Sequence, residues 1–423
     1  ILNSIMGTAD TMMVSNVGPA ALSAVSLVDS INILLIQAFS ALAAGGAIVC
    51  AQYIGQKNYE KANMSARQVL FIITAISVAV SAVCLIFQKP LLRFIFGAVE
   101  ANVMRASETY FFFTALSFPF IAAYDSAASI FRAQENTKGP MTISMISNVM
   151  NIGGNAILIW VFHLGVAGAA LSTLASRIFC AVVVLYQLRK DRQPIVVRDY
   201  LKIRPDWSMI KRILGLGIPS GIENSMFQLG KLAIQSTVST LGTTAIAAQA
   251  MTNILENLNG IAAIGVGVGL MTIVGQCLGA GRKDEAVYYI KKLCVIAEAV
   301  IIASCLVVYI LARPVTILGG MEKESAAMCI HMITWITIVK PLVWTMGFVP
   351  GYGLRAAGDV KFSMITSCCT MWSCRFCLCV FLIRVMDFGP MGVWIGMFAD
   401  WTVRGIIFTW RFHSRKWLEH KVI

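Results

Sequence analysis

The stretch AQYIGQKNYEKA (51–62) returns as GQCLGAGRKDEA (275–286), so Gln52 and Gly55 recur 224 residues later as Gln276 and Gly279. The same interval carries Gly18 onto Gly242, Gly45 onto Gly269, and Gly165 and Gly168 onto Gly389 and Gly392. Arg132 and Arg355 keep the pattern with an interval one residue shorter. Self-similarity at this length means two halves built from one unit. In a hydrophobic chain it points to a transporter whose site lies between the halves.

The 423 residues are 58% hydrophobic and 13% charged, against about 25% charged in a soluble domain. No water-soluble core hides that much apolar surface, so lipid is the expected solvent. The apolar runs are continuous over about 20 residues, which excludes the alternating ~10-residue strands of a barrel. The expected fold is an all-α integral membrane protein with twelve transmembrane helices in two parallel, pseudo-symmetric lobes of six. The spans read as 1–15, 24–54, 68–88, 107–131, 141–162, 166–188, 212–238, 244–276, 290–312, 328–352, 363–386 and 391–411. The first is short, and the chain is expected to start inside it. The lobes are 1–188 and 212–423, joined by a basic cytoplasmic linker at 189–211.

The net charge of +13 collects in alternate loops, which excludes a nucleic-acid reading. The linker region holds Arg189, Lys190, Arg192, Arg198, Lys202 and Arg204, whereas the opposite side holds only Lys89, Arg93, Arg105, Arg313 and Lys323. Basic loops stay inside, so both termini are expected in the cytoplasm and the protein in the plasma membrane. Of the twelve cysteines, Cys368, Cys369, Cys374, Cys377 and Cys379 cluster within a span without histidine at ligand spacing. They read as small apolar residues.

Ionisable groups inside a span need a partner or a wet cavity. Asp10 lies six residues from Asn16, about 9 Å below the outer surface at ~1.5 Å per residue. A carboxylate at that depth suits a proton or sodium ion. Asn148, Asn151 and Asn155 share one helix face, and their amide oxygens suit sodium or hold a carboxylate. Glu223 and Phe227 follow Pro219 on one face, with Asn224 beside them, and Asn253, Glu256 and Asn257 cluster on span eight. Acids beside aromatics attract organic cations. Lys231 and Lys340 read as neutralising nearby acids. Arg177, Arg375 and Asp400 read as structural, and Glu298 stands unexplained in an apolar span. Gly45 and Gly269 read either as close-packing positions or as a shared hinge.

GTADTMMVSNVGPAAL (7–22), AQYIGQKNYEKA (51–62), DSAASIFRAQENTKGP (125–140), NVMNIGGNAILIW (148–160), LGVAGAALSTLASR (164–177), LRAAGDVKFS (354–363) and MGVWIGMF (391–398) together resemble the multidrug and toxic compound extrusion (MATE) family over nearly the whole chain. The resemblance is closer to its DinF-like than to its NorM-like branch. It implies two six-helix lobes around a V-shaped cavity, and export of cationic drugs against inward sodium or proton flow. Asp10 then matches a cation-coupling acid, Asn151 the first member of an NxxxD pair, and Thr173 a sixth-helix threonine. The pair's acid is Asn155 here, and a fourth-helix asparagine is Asp125. We read these departures as compensating, with Asp10, Asp125, Asn151, Asn155 and Thr173 as the coupling set. Asp10, Asn151, Asn155 and Thr173 would ligate the metal if the ion is sodium. Two acids of the NorM-like second lobe correspond to Phe227 and Trp344.

The expected function is thus a secondary-active antiporter, not an enzyme, exporting small organic cations in exchange for H+ or Na+ by alternating access. Its substrate residues would be Glu223, Asn224, Phe227, Asn253, Glu256 and Trp344. Beyond the coupling ion no cofactor is expected. Membrane lipids are the other partners, there is no nucleic acid, and the protein is expected to be a monomer. The alternatives are a lipid-linked oligosaccharide flippase of the same superfamily and, more remotely, a multispanning membrane transferase.

Overall fold

The computed structural model describes residues 2–190 and 192–423, and of residues 2–8 the backbone only. Ile1, where the first span was expected to begin, lies outside them. The described residues are helical throughout, and two compact units divide them, Ile1–Gly221 and Ile222–Ile423.

In the first unit, α1 (Leu2–Ser15), α2 (Pro19–Gly55) and α3 (Tyr59–Ile86) are followed by a short α4 (Gln88–Phe96). Then come α5 (Ala101–Leu116), α6 (Phe118–Ala133), α7 (Lys138–Asn155) and α8 (Val166–Leu188). α2 forms the spine, packing on α3, α5 and α6, with Phe39 set edge-on to Phe118 at 6.0 Å. A long α9 (Trp207–Val238) runs through Pro219 and across the unit boundary. The second unit continues with α10 (Thr243–Gly279), α11 (Lys283–Leu318), α12 (Lys323–Ala356), α13 (Val360–Thr370), α14 (Leu378–Arg384) and α15 (Met391–Ser414). Its core gathers Trp344, Trp401, Phe408, Phe412 and Trp417.

Among the described residues eight helices are long and apolar enough to cross a membrane, and the pair α5 and α6, bent by 42°, makes a ninth if taken as one span. The short α1, the polar-interrupted α9 and α15 occupy the three remaining expected positions. Large apolar side chains such as Ile310, Leu318 and Ile406 stand exposed, as a lipid-facing surface requires. Where one straight span was expected over 107–131, the helix begins at Ala101 and breaks at Ser117. Pro119, in the first turn of α6, lacks the N–H that would carry a helix through.

Spans five and eleven each contain a π-helical stretch, Ala156–Val161 after α7 and Met371–Cys377 after α13. Such turns widen the helix and occur often at functional sites. The internal repeat also governs the backbone. Thirteen described residues have positive φ. Twelve of them pair at intervals of 223 or 224: Gly18 with Gly242, Lys57 with Gly281, Gly97 with Gly320, Glu135 with Gly358, His163 with Asp387, and Gly165 with Gly389. Gly18 and Gly242 each open a helix of 37 residues.

Glycine packing separates two positions that the repeat equates. A Cβ on Gly45 would lie 2.6 Å from the backbone nitrogen of Gly217, whereas one on Gly269 would meet nothing within 4 Å. Gly45 is thus a close-packing residue where α2 meets the start of α9, as small residues are in membrane helix pairs. The basic linker is docked on the first unit. Asn63 on α3 bonds Pro194 O and Val196 N, Gln68 bonds Arg204 O and Asp206 N, and Ile195 and Val197 are fully buried.

Candidate functional site

Asp10 on α1 is the acceptor for two amides of α7. Asn151 Nδ2 donates to its Oδ2 at 3.1 Å, and Asn155 Nδ2 donates to its Oδ1. The four-residue spacing aims both amides from one helix face. Asn155 is 1% exposed, and its Oδ1 is buried with no hydrogen-bond partner. It is the last residue before the π-helical stretch, where the change in pitch fixes its direction. Ser172 Oγ on α8 donates to Asn151 O at 2.8 Å and stands 3.1 Å from Asn151 Oδ1. One carboxylate, two amides and a hydroxyl thus meet, an oxygen-rich set that suits a proton or a hard monovalent cation.

Not every residue of the expected coupling set joins this group. Thr173 donates to Ala169 O of its own helix. Asp125 faces the charges of Arg132 and Arg177. The second acid acting on Asp10 is Asp29 of α2. Asp29 accepts from Tyr110 at 3.0 Å and from Asn32 at 3.4 Å, and it feels the charge of Arg177. Arg177 itself donates to Ser117 Oγ at 2.6 Å, so the break between α5 and α6 supplies an acceptor for a buried guanidinium. Ser172 and Asp29 are the residues that sequence reasoning left outside the set. A signal for Ser172 was its place beside Thr173. For Asp29, an acid within a span was visible, but its partners come from other helices.

The second unit holds a half-open cavity of about 230 Å3. Glu223, Asn224, Phe227, Glu256 and Trp344 line it. Asn253 stands apart, accepting from Gln249 Nε2 at 3.3 Å. The two glutamates are not free. Glu223 Oε1 is 2.6 Å from Arg355 Nη2, and Glu256 Oε1 is 2.7 Å from Lys340 Nζ. Lys340 also donates to Asn259 Oδ1. Each glutamate thus already faces a cation of the protein. Arg375 pairs with Asp400 at 3.0 Å, and Arg404 pairs with the same carboxylate at 3.1 Å. Arg404 was passed over in the sequence, although its spacing four residues after Asp400 signals an ion pair on one helix.

Comparison with known proteins adds a family. The MatE family profile matches residues 1–157 and 219–381. The "Uncharacterized transporter YisQ" of Bacillus subtilis is 26% identical, over 98% of this chain and 91% of its own length. The "Probable multidrug resistance protein NorM" of Thermotoga maritima is 24% identical, over all of this chain and 91% of its own. A crystal structure of MATE in the straight conformation matches with a TM-score of 0.90 at 20% identity, covering 98% of this chain and 93% of that one. A MOP superfamily transporter from Pyrococcus furiosus also reaches 0.90, at 19% identity, over 99% and 93%. Its description connects reversed polarity of its binding pocket with a different function. At these identities the structural likeness concerns the fold.

Proposed function

Because the chain belongs to the MatE family, we propose that this multi-pass membrane transporter is a secondary-active efflux antiporter coupled at Asp10. The observation that carries the reading is the carboxylate of Asp10 held by Asn151 and Asn155. The amide N–H groups satisfy the carboxylate. A bound H+ or Na+ would call for an amide oxygen at that face, which a half-turn of one amide presents. Such a change biases two conformations only if the ion binds them unequally. A substrate that competes for the same acid supplies that inequality, and alternating access of the lobes 1–188 and 212–423 would turn it into exchange.

The names of the NorM-type relatives support small organic compounds as cargo, with organic cations as those able to compete for Asp10. The basic linker at 189–211 supports cytoplasmic termini in a plasma-membrane monomer. One observation favours a second reading, a flippase for lipid-linked sugars: the cationic lining of the second unit's cavity suits pyrophosphate. Ethidium efflux from cells, wild type beside Asp10→Asn with sodium and pH gradients imposed separately, tests the first reading. Efflux that requires Asp10 and one gradient supports it. Absence of efflux under both, from well-expressed protein, would favour the flippase.

A further inference from the structure

The charges around the second unit's cavity do not balance. Lys231, Lys340, Arg355, Arg375 and Arg404 line it, and the carboxylates that meet them are Glu223, Glu256 and Asp400. Two positive charges are left over. Arg375 and Arg404 are 1% and 2% exposed, and they share the single carboxylate of Asp400. Arg375 reaches Asp400 through Nη2, and among the described residues Arg375 Nε and Arg404 Nε complete no hydrogen bond. Buried guanidinium donors without acceptors destabilise the fold.

Aromatic rings offset only part of this. Phe227 lies under three of the cations, at 4.8 Å from Arg375, 5.0 Å from Lys231 and 5.8 Å from Arg404. Phe348 lies 4.8 Å from Arg404. These contacts stabilise the cations but supply no carboxylate for the two surplus charges. We propose that this cavity binds an organic anion carrying a compact aromatic group, a ligand distinct from the cations that compete for Asp10. The binding does not rest on the antiporter reading. An entering carboxylate or phosphate would accept from the unpartnered guanidinium N–H groups. Its ring would lie against the Trp344–Phe348 stack, whose centroids are 4.9 Å apart. About 230 Å3 accommodates one or two fused rings, and the Trp344–Phe348 stack offers them an aromatic face that a sugar pyrophosphate would not use.

Titration calorimetry on the purified full chain tests this with four probes: 1-naphthoate, 1-naphthalenemethanol, 1-naphthylmethylammonium and inorganic pyrophosphate. Naphthoate should bind about tenfold or more tighter than the neutral alcohol, and the ammonium should not bind, since the charge difference is read in a desolvated site. Phe227→Glu places a carboxylate among the three cations and should weaken naphthoate by about tenfold or more, whereas Phe227→Leu should weaken it far less. Lys231→Gln, which removes one surplus charge without touching Asp400, should weaken naphthoate and not the alcohol. Equal binding of alcohol and naphthoate, binding of pyrophosphate without naphthoate, or a folded Phe227→Glu protein with unchanged affinity would each overturn the proposal. No gradient enters this measurement, so its failure leaves coupled efflux standing. Loss of coupled efflux would likewise leave the binding result standing.

Discussion

Asp10 accepts from two amides of one helix, so removing either leaves a partly desolvated carboxylate short of a donor. Asn155→Leu should lower stability by about 1–3 kcal/mol and abolish gradient-driven efflux. Thermal unfolding and dye efflux read the two effects, and a variant that is stable and fully active would detach Asn155 from the site. The second acid is a sharper question. Asp29 acts on Asp10, whereas Asp125 stands among Arg132 and Arg177. Asp29→Asn should therefore change the ion dependence of efflux, and Asp125→Asn should leave it unchanged. The reverse outcome would restore the compensating pair read from the sequence. Asn151 and Asn155 were legible because they repeat at helical spacing on one face, and the family resemblance linked them to Asp10. The partner Asp29 was not, because α1 and α2 meet through tertiary packing that no local pattern encodes. Arg404 was passed over although it lies four residues after Asp400, the spacing of an ion pair on one helix.

At the scale of elements, close approach and turn geometry make separate predictions. Gly45→Ala would drive a Cβ to 2.6 Å from Gly217 backbone. It should cost about 1–3 kcal/mol, while Gly269→Ala should be tolerated. Equal tolerance at both positions, measured by thermal unfolding in detergent, would contradict the packing account and revive a shared hinge. Glu135 holds a left-handed conformation, φ 64°, where its repeat mate is Gly358. Glu135→Gly should stabilise by up to about 1 kcal/mol, the left-handed strain relieved less the added chain entropy. An unchanged or lower unfolding temperature would argue against strain there. The linker makes a third case. Gln68 grips Arg204 O and Asp206 N, so Gln68→Ala should speed proteolysis within 198–206 without altering the core. Helix positions could be read from apolar run length. The break at Ser117 carried a mark in Pro119, whereas the two π-helical stretches carried none, because a single extra residue in a turn leaves no compositional trace.

For the molecule as a whole, the repeat quoted from the sequence is written into the backbone. Six pairs of positive-φ residues recur at nearly one interval, and two 37-residue helices start from paired glycines. Yet the two units carry opposite chemistry. The first holds a carboxylate among amides, and the second holds clustered cations over aromatic rings. Equal ancestry therefore fixed the framework while side chains diverged. That divergence is why repeat reasoning reached the fold and stopped short of the second site's polarity. The central claim, exchange of solute for a cation through Asp10, is most directly tested with purified protein in liposomes. An outward ethidium gradient is imposed, and inward H+ or Na+ movement is followed by a pH-sensitive dye or by radiolabelled sodium. The account predicts that one of the two ions enters as ethidium leaves, and that Asp10→Asn stops both movements together. Ethidium leaving with neither ion entering, or ion entry undiminished in Asp10→Asn, would contradict it.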